Sequence, residues 1–213
     1  GGLLVGSVRE SNLPRGYANF ARTVDGGLTW EVIGRDTDAS PPIPAGETTL
    51  IVRGMDDGRA AGITEKGGIF LTPTDYSAVS FVLPSNASAV DVDTPGYSFG
   101  PYAAINATSD GQTIMALMTS GTNDAETYIS VSTDAGVTFS AWALAPLPDY
   151  AYPRALYYRD GAWIMLGAYQ RYSSDNGATW LAISNEQAFD GEPLGSAPFP
   201  VVENGDDPAK FAV

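Results

Sequence analysis

One eight-residue pattern recurs three times: Thr23-Val-Asp25-Gly-Gly27-Leu-Thr29-Trp30, Ser132-Thr-Asp134-Ala-Gly136-Val-Thr138-Phe139 and Ser173-Ser-Asp175-Asn-Gly177-Ala-Thr179-Trp180. Each copy runs Ser or Thr, any, Asp, any, Gly, any, Thr, aromatic. Such a string reads as a hairpin turn. The Asp carboxylate can accept hydrogen bonds from the turn's own N–H groups, the Gly supplies the positive φ of a tight reversal, and the Thr hydroxyl braces it. The aromatic then enters the next strand, so Trp30, Phe139 and Trp180 are expected to be mostly buried. A chain that repeats this turn is committed to antiparallel strands.

The stretch ahead of each turn also repeats. Ala155 to Tyr158, the turn Arg159-Asp160-Gly161 and the apolar run Trp163 to Leu166 precede the third copy; Tyr102 to Ile105, Ser109-Asp110-Gly111 and Ile114 to Leu117 precede the second. The unit is therefore strand, Asp-Gly turn, apolar strand, variable loop, strand, patterned turn, outer strand. A strand apolar on both faces must be covered on both, which stacking of such units provides. Asp25 and Asp134 lie more than twice as far apart as Asp134 and Asp175, and a hidden unit fills that gap. It runs from Thr48 to Arg53, through Met55-Asp56-Asp57-Gly58, to Ala60 to Thr64 and Gly68 to Leu71, ending in a decayed turn, Thr72 to Phe81 with Asp75.

The patterned turn resembles the Asp-box of sialidase-like and related β-propellers. In that family the box is a fold element, which implies structural roles for Asp25, Gly27, Trp30, Asp134, Gly136, Phe139, Asp175, Gly177 and Trp180. The expected fold is all-β: a single propeller over 1–213 with about four four-stranded antiparallel blades, roughly 1–36 plus 209–213, 47–84, 98–146 and 153–185. The first unit lacks its innermost strand, and Lys210 to Val213 is the strand-like stretch left over. Pairing it beside Leu3 to Val8 would close the ring; the rival reading is a piece of a longer propeller. The compressed repeat also resembles repeats of bacteriophage tail and other virion-associated proteins. An extracellular or virion location, with a glycan or a virion or cell-surface protein as partner, is the expectation from that likeness.

Composition excludes several chemistries. With no Cys and no His, Ser-His-Asp and Cys-His catalysis, thiolate metal sites and histidine-bound zinc are all out of reach. A net charge of −14, from 25 acidic against 11 basic residues, offers no basic stripe for nucleic acid or an anionic membrane. No apolar run reaches membrane-span length, so membrane insertion is not expected. The chain opens on Gly1-Gly2 with no Met and no signal segment, which fits a processed or trimmed chain. The acid pairs Asp91-Val-Asp93 and Asp206-Asp207 lack calcium-loop spacing, so neither a metal nor another cofactor is expected. The strings Asn86-Ala-Ser88 and Asn106-Ala-Thr108 have the sequon pattern that accepts a glycan in a secreted eukaryotic protein, but one or two such strings are expected by chance in a chain of this composition, so they identify nothing.

Strand order fixes two faces. The first-to-second and third-to-fourth turns share one end of each unit, so the boxes gather on one face and the variable loops on the other. The loop face is where function is expected, and its candidates are Arg9, Arg15, Tyr17, Arg35, Tyr97, Asp124, Glu126, Asp149, Tyr150, Tyr152, Arg154, Tyr169 and Arg171. Of these, Arg15, Tyr17, Tyr150, Tyr152, Tyr169 and Arg171 are the expected ligand-binding set, because Tyr and Arg give flat, polar-edged contact surface. No catalytic residue is assigned. Sialidase chemistry would need three arginines, a Tyr-Glu pair and an Asp acid, and the family's Arg-Ile-Pro signature is missing; Leu13-Pro14-Arg15 and Tyr152-Pro153-Arg154 reverse its order. The competing classes are a carboxylate-based glycosidase using Asp124, Glu126 or Asp149, and an Asp-box assembly factor.

Overall fold

The computed structural model describes residues 5–7, 20–23, 25, 27–33, 44, 47, 49–75, 77–87, 90, 102–119 and 126–183. Apart from a 3-10 position at Ala87, the regular elements among them are β-strands of antiparallel meanders. β1 (Val5–Ser7), β2 (Phe20–Arg22) and β3 (Glu31–Ile33) form a three-stranded sheet. Three four-stranded sheets follow. The first is β4 (Thr49–Gly54), β5 (Ala60–Thr64), β6 (Ile69–Leu71) and β7 (Ser80–Val82). The next is β8 (Ala103–Ala107), β9 (Ile114–Thr119), β10 (Thr127–Ser132) and β11 (Ala143–Leu144). The last is β12 (Ala155–Arg159), β13 (Ala162–Leu166), β14 (Arg171–Ser173) and β15 (Leu181–Ala182). These sheets are numbered in chain order, and "blade" with its number serves below as their label only. The opening strands are neighbours in turn, β1 beside β4, β4 beside β8 and β8 beside β12.

Period-two alternation explains the apolar strands of blade 3. Ala103, Ile105 and Ala107 of β8 and Ile114, Ala116 and Met118 of β9 pack against Ala61, Ile63, Ile69 and Leu71 of blade 2. The residues between them, Ala104, Met115 and Leu117, turn to the opposite face and pack against Leu156, Trp163, Met165 and Trp180 of blade 4. Both faces of the sheet are interior, which is why these strands carry no polar stripe.

The three patterned turns, called boxes below, share one hydrogen-bond net. In the third, Thr179 N–H donates to Asp175 Oδ1 at 2.9 Å, Thr179 Oγ1 to Asp175 Oδ2 at 2.6 Å, Ser173 Oγ to Asp175 Oδ1 at 2.8 Å, and Gly177 N–H to Ser173 Oγ at 2.8 Å. The same bonds recur around Asp25 and Asp134. They hold all three carboxyls down at about 2 against an ordinary 3.8, the hydroxyl of the Thr four residues after each Asp being the largest cause. The decayed turn between β6 and β7 differs: Asp75 accepts from Ser77 two residues on, through N–H at 3.0 Å and Oγ at 2.7 Å, and Thr72 instead binds Ala60 across the sheet.

The second and third patterned turns each pack on the sheet before them. A Cβ on Gly136, at φ +90°, would strike Leu71 of blade 2, and one on Gly177, at φ +86°, would strike Ile129 of blade 3. Among the described residues, Gly27 has only its own Trp30 in reach. Trp30 departs accordingly from the expected burial: it is 48% exposed, whereas Trp180 is 9% exposed and Phe139 is partly buried. The aromatic is covered by a preceding sheet, and among the described residues none lies against the first box. In blade 3 the deep aromatic is Trp142, three residues past Phe139, whose Nε1–H donates to Gly67 O of blade 2 at 2.9 Å.

Two polar clusters tie the blades at the box face. Arg59, after the β4–β5 turn, donates to Asp57 Oδ2 at 2.6 Å, to Gly111 O and to Ala135 O, both at 2.8 Å. Asn106 of β8 accepts from Asp56 N–H at 3.0 Å and Ala107 N–H at 2.8 Å, and donates to Asp56 Oδ2 at 3.1 Å and Leu156 O at 2.9 Å. Asp56 Oδ2 also accepts from Tyr158 N–H of blade 4 at 3.3 Å. Of the two sequon strings, that at Asn106 is closed to a glycan: at 4% exposure its amide is committed inside the fold. Asn86 is exposed, in a turn at φ 61°. Lys210 to Val213, and with them ring closure, lie outside the described residues.

Candidate functional site

The loop-face ends of blades 3 and 4 bring four tyrosines and two arginines over one seam. Residues 145 to 154 cross from β11, outermost in blade 3, to β12, first in blade 4. Leu147 and Ala151 anchor this crossing in the core beneath. Its backbone is pinned by Ala168 N–H donating to Ala151 O at 2.8 Å. The approach is so close that a Cβ on Gly167 would run into the carbonyl oxygens of Ala151 and Tyr152, which accounts for glycine there.

The crossing holds two tyrosines in left-handed backbone, Tyr150 at φ 60° and Tyr152 at φ 46°. For bulky residues this conformation is costly, and Tyr152 also precedes Pro153, which restricts it further. Strain of this kind persists only where surroundings over-determine it, and it concentrates at binding sites. Here it turns both rings together. Tyr150 and Tyr152 have centroids 5.9 Å apart, and Tyr152 meets Tyr102, at the head of β8, at 4.5 Å. The Arg154 guanidinium lies over the Tyr102 ring, 5.1 Å from its centroid. Across the same blade, Arg171 lies over Tyr169 at 5.3 Å and donates to Gln170 O at 3.1 Å. Burial draws the Arg171 guanidinium below its ordinary value while Tyr169 opposes the shift; it stays charged at neutral pH. Tyr150 is the most open ring, 49% exposed.

Tyr150, Tyr152, Tyr169 and Arg171 of the expected ligand set therefore sit at one seam, joined by Arg154. In the sequence Tyr102 marks only the start of a strand; it stands immediately before β8 as Arg154 stands immediately before β12, and that equivalence is the available signal. Arg9, Arg15, Tyr17, Arg35, Tyr97, Asp124, Asp91, Asp93, Asp206 and Asp207 lie outside the described residues. Asp149 is exposed in the crossing. Glu126 accepts from Tyr128 Oη at 3.1 Å. Burial first, then Glu126, pushes the Tyr128 phenol up, so it is a donor that fixes Glu126 rather than an ionised nucleophile. Among the described residues no three His, Cys, Asp or Glu side chains gather as a metal site, and no helix is long and apolar enough to cross a membrane.

No family model matches the chain, and no curated protein does. Among solved structures it is similar to YCF48 bound to a D1 peptide, at 17% identity and TM-score 0.40, covering 78% of this chain and 47% of that one. It is also similar to a protein of unknown function from Dyadobacter fermentans, at 15% identity and TM-score 0.44, covering 84% and 59%. A third is 1,3Gal43A, an exo-β-1,3-galactanase from Clostridium thermocellum, at 12% identity and TM-score 0.42, covering 74% and 36%. The chain spans less than two thirds of each of these structures. At such scores the likeness transfers no activity.

Proposed function

We propose that the chain is a non-catalytic carbohydrate-binding module, built as a β-propeller of about four blades and displayed outside the cell or on a virion. The propeller reading is supported by the successive neighbourhood of β1, β4, β8 and β12 and by the two-faced burial of β8 and β9. The observation that carries the binding reading is the tyrosine rim. Tyr102, Tyr150 and Tyr152 are clustered by two left-handed backbone residues, and Tyr150 is half open to solvent. Rings fixed before the ligand arrives lose little freedom on binding, which is what a shallow sugar contact needs. A structural attachment role, or an assembly partner, would use the same surface.

A glycan array probed with the purified chain tests the reading, alongside Tyr150→Ala and an assay for sugar release. Binding without release, lost in Tyr150→Ala, is the expected result. Turnover that disappears in Glu126→Gln or Asp149→Asn would replace the binding module with a glycosidase.

A further inference from the structure

Both arginines at the loop end of this seam rest on tyrosine rings, but only one of them is tied down. Arg171, over Tyr169, donates to Gln170 O at 3.1 Å. Arg154, over Tyr102 at 5.1 Å, is exposed, and among the described residues its guanidinium makes neither a hydrogen bond nor an ion pair. The Tyr102 ring supports it from one side. Its planar N–H fork therefore stays open to an oxyanion, which it matches in bidentate fashion. One ring further along, Tyr152 meets Tyr102 at 4.5 Å and Tyr150 at 5.9 Å, and the rings of Tyr150 and Tyr152 are inclined at 59°. Rings set at that angle form two walls of a corner rather than a stack. Tyr150 is 49% exposed and, among the described residues, no arginine or lysine lies over it.

The corner suits a cation. An aromatic face attracts positive charge through its quadrupole, and a quaternary ammonium, which has no N–H to hydrogen-bond, depends on such faces. Asp149, immediately before Tyr150, is exposed, and among the described residues its carboxylate has no hydrogen bond or ion pair. The chain as a whole carries a net charge of −14, and both charges add to the attraction. An anion fork beside a cation corner calls for a ligand that carries both charges. The 5.1 Å and 4.5 Å contacts through Tyr102 bound the distance from the Arg154 guanidinium to the Tyr152 ring, so one small headgroup reaches both. We infer that the site selects a phosphocholine substituent on a saccharide, with its trimethylammonium group in the Tyr150–Tyr152 corner and its phosphate on Arg154. The inference rests on the carbohydrate-binding reading and names the group that the rim recognises. The negative charge of the protein, which opposes a polyanion, leaves a zwitterion of zero net charge unopposed at long range.

Isothermal titration of the full chain with glycerophosphocholine, choline and glycerol 3-phosphate tests this, beside an array bearing one saccharide with and without phosphocholine. The expected result is glycerophosphocholine bound about tenfold or more tighter than either half, and the substituted saccharide preferred over the bare one by a similar factor. Arg154→Gln should reduce glycerophosphocholine to the affinity of choline, and Tyr150→Ala should weaken both about fivefold or more. Thermal melts identify any variant that fails to fold, and Arg154→Gln, an exposed change, decides the matter if Tyr150→Ala does so. Equal binding of the two saccharides with no response to glycerophosphocholine would overturn the phosphocholine inference and leave the carbohydrate reading standing. Glycerophosphocholine binding that both variants keep would overturn its placement at this rim. Capture on phosphatidylcholine vesicles without binding of the substituted saccharide would overturn the saccharide source in favour of a lipid headgroup. An array with no binder and no response to any of the three small probes would take the carbohydrate reading with it.

Discussion

Replacing Asn106 by Leu removes four hydrogen bonds without changing side-chain size much, so the cost is almost wholly polar. Asn106 bonds the Asp56 and Ala107 N–H groups, the Asp56 carboxylate and Leu156 O. At roughly 1 kcal/mol each the ceiling is about 4 kcal/mol. Asp56 is exposed and recovers water in part, whereas the bond to Leu156 O is buried and cannot. The expected loss is therefore about 3 kcal/mol, which for a chain of this size lowers the melting temperature by roughly 6–12 °C. Asn106→Asp keeps the two acceptors but loses both donors and sets a second carboxylate beside Asp56. It should be the worse variant at neutral pH and should recover as acid removes the repulsion. Circular dichroism melts of the three proteins across pH suffice. A melting point for Asn106→Leu within about 2 °C of the parent would refute the polar account of this contact.

Other outcomes follow from the same structure. Because Asp25, Asp134 and Asp175 have folded pKa values of about 2 against an ordinary 3.8, their stabilisation is complete above 3.8 and is lost as pH falls through about 2; Asp175→Asn should flatten that part of a melting-against-pH curve. Trp180→Ala should cost about 3–5 kcal/mol in urea unfolding, and Trp30→Ala, 48% exposed, less than half as much; equal losses would mean that the first box is covered after all. Tyr152→Gly should be more stable than Tyr152→Ala by about 1 kcal/mol, since both remove the ring but only glycine relieves the φ of 46°. Neither should bind on a glycan array.

The box turns were legible in the sequence because their partners lie two and four residues apart, as with Ser173, Asp175 and Thr179. The strand order was legible for a related reason: the Asp-Gly turns and apolar runs mark local reversals, and β5, β9 and β13 fall within a residue or two of where those signals place them. The blade contacts were not. Asn106 looked like a surface sequon, and nothing local says that its amide meets Asp56, fifty residues back, and Leu156, fifty ahead. Trp30 was misjudged on the same ground, for a box aromatic is buried by the neighbouring sheet and not by its own turn. At the site, Tyr150, Tyr152, Tyr169 and Arg171 were visible as residue types on the right face, while Tyr102 was hidden by its place at the start of a strand. The left-handed backbone at Tyr150 and Tyr152 has no sequence signature, since neither is glycine or asparagine.

Arg59 has no counterpart in the other repeats: the residue after the Asp-Gly turn is Gln112 in blade 3 and Ala162 in blade 4. Its fork bonds the pair of carbonyls that Gly111 and Ala135 present, so it works as an address as well as a brace. A chain made of near-copies faces a hazard that a single-pattern fold does not, because similar apolar faces can stack in the wrong order or be exchanged with another molecule. Apolar seams tell blades apart poorly. A partly buried guanidinium whose carbonyl acceptors come from one neighbouring sheet raises the energy of orders that remove them, and so helps specify which sheet sits beside which.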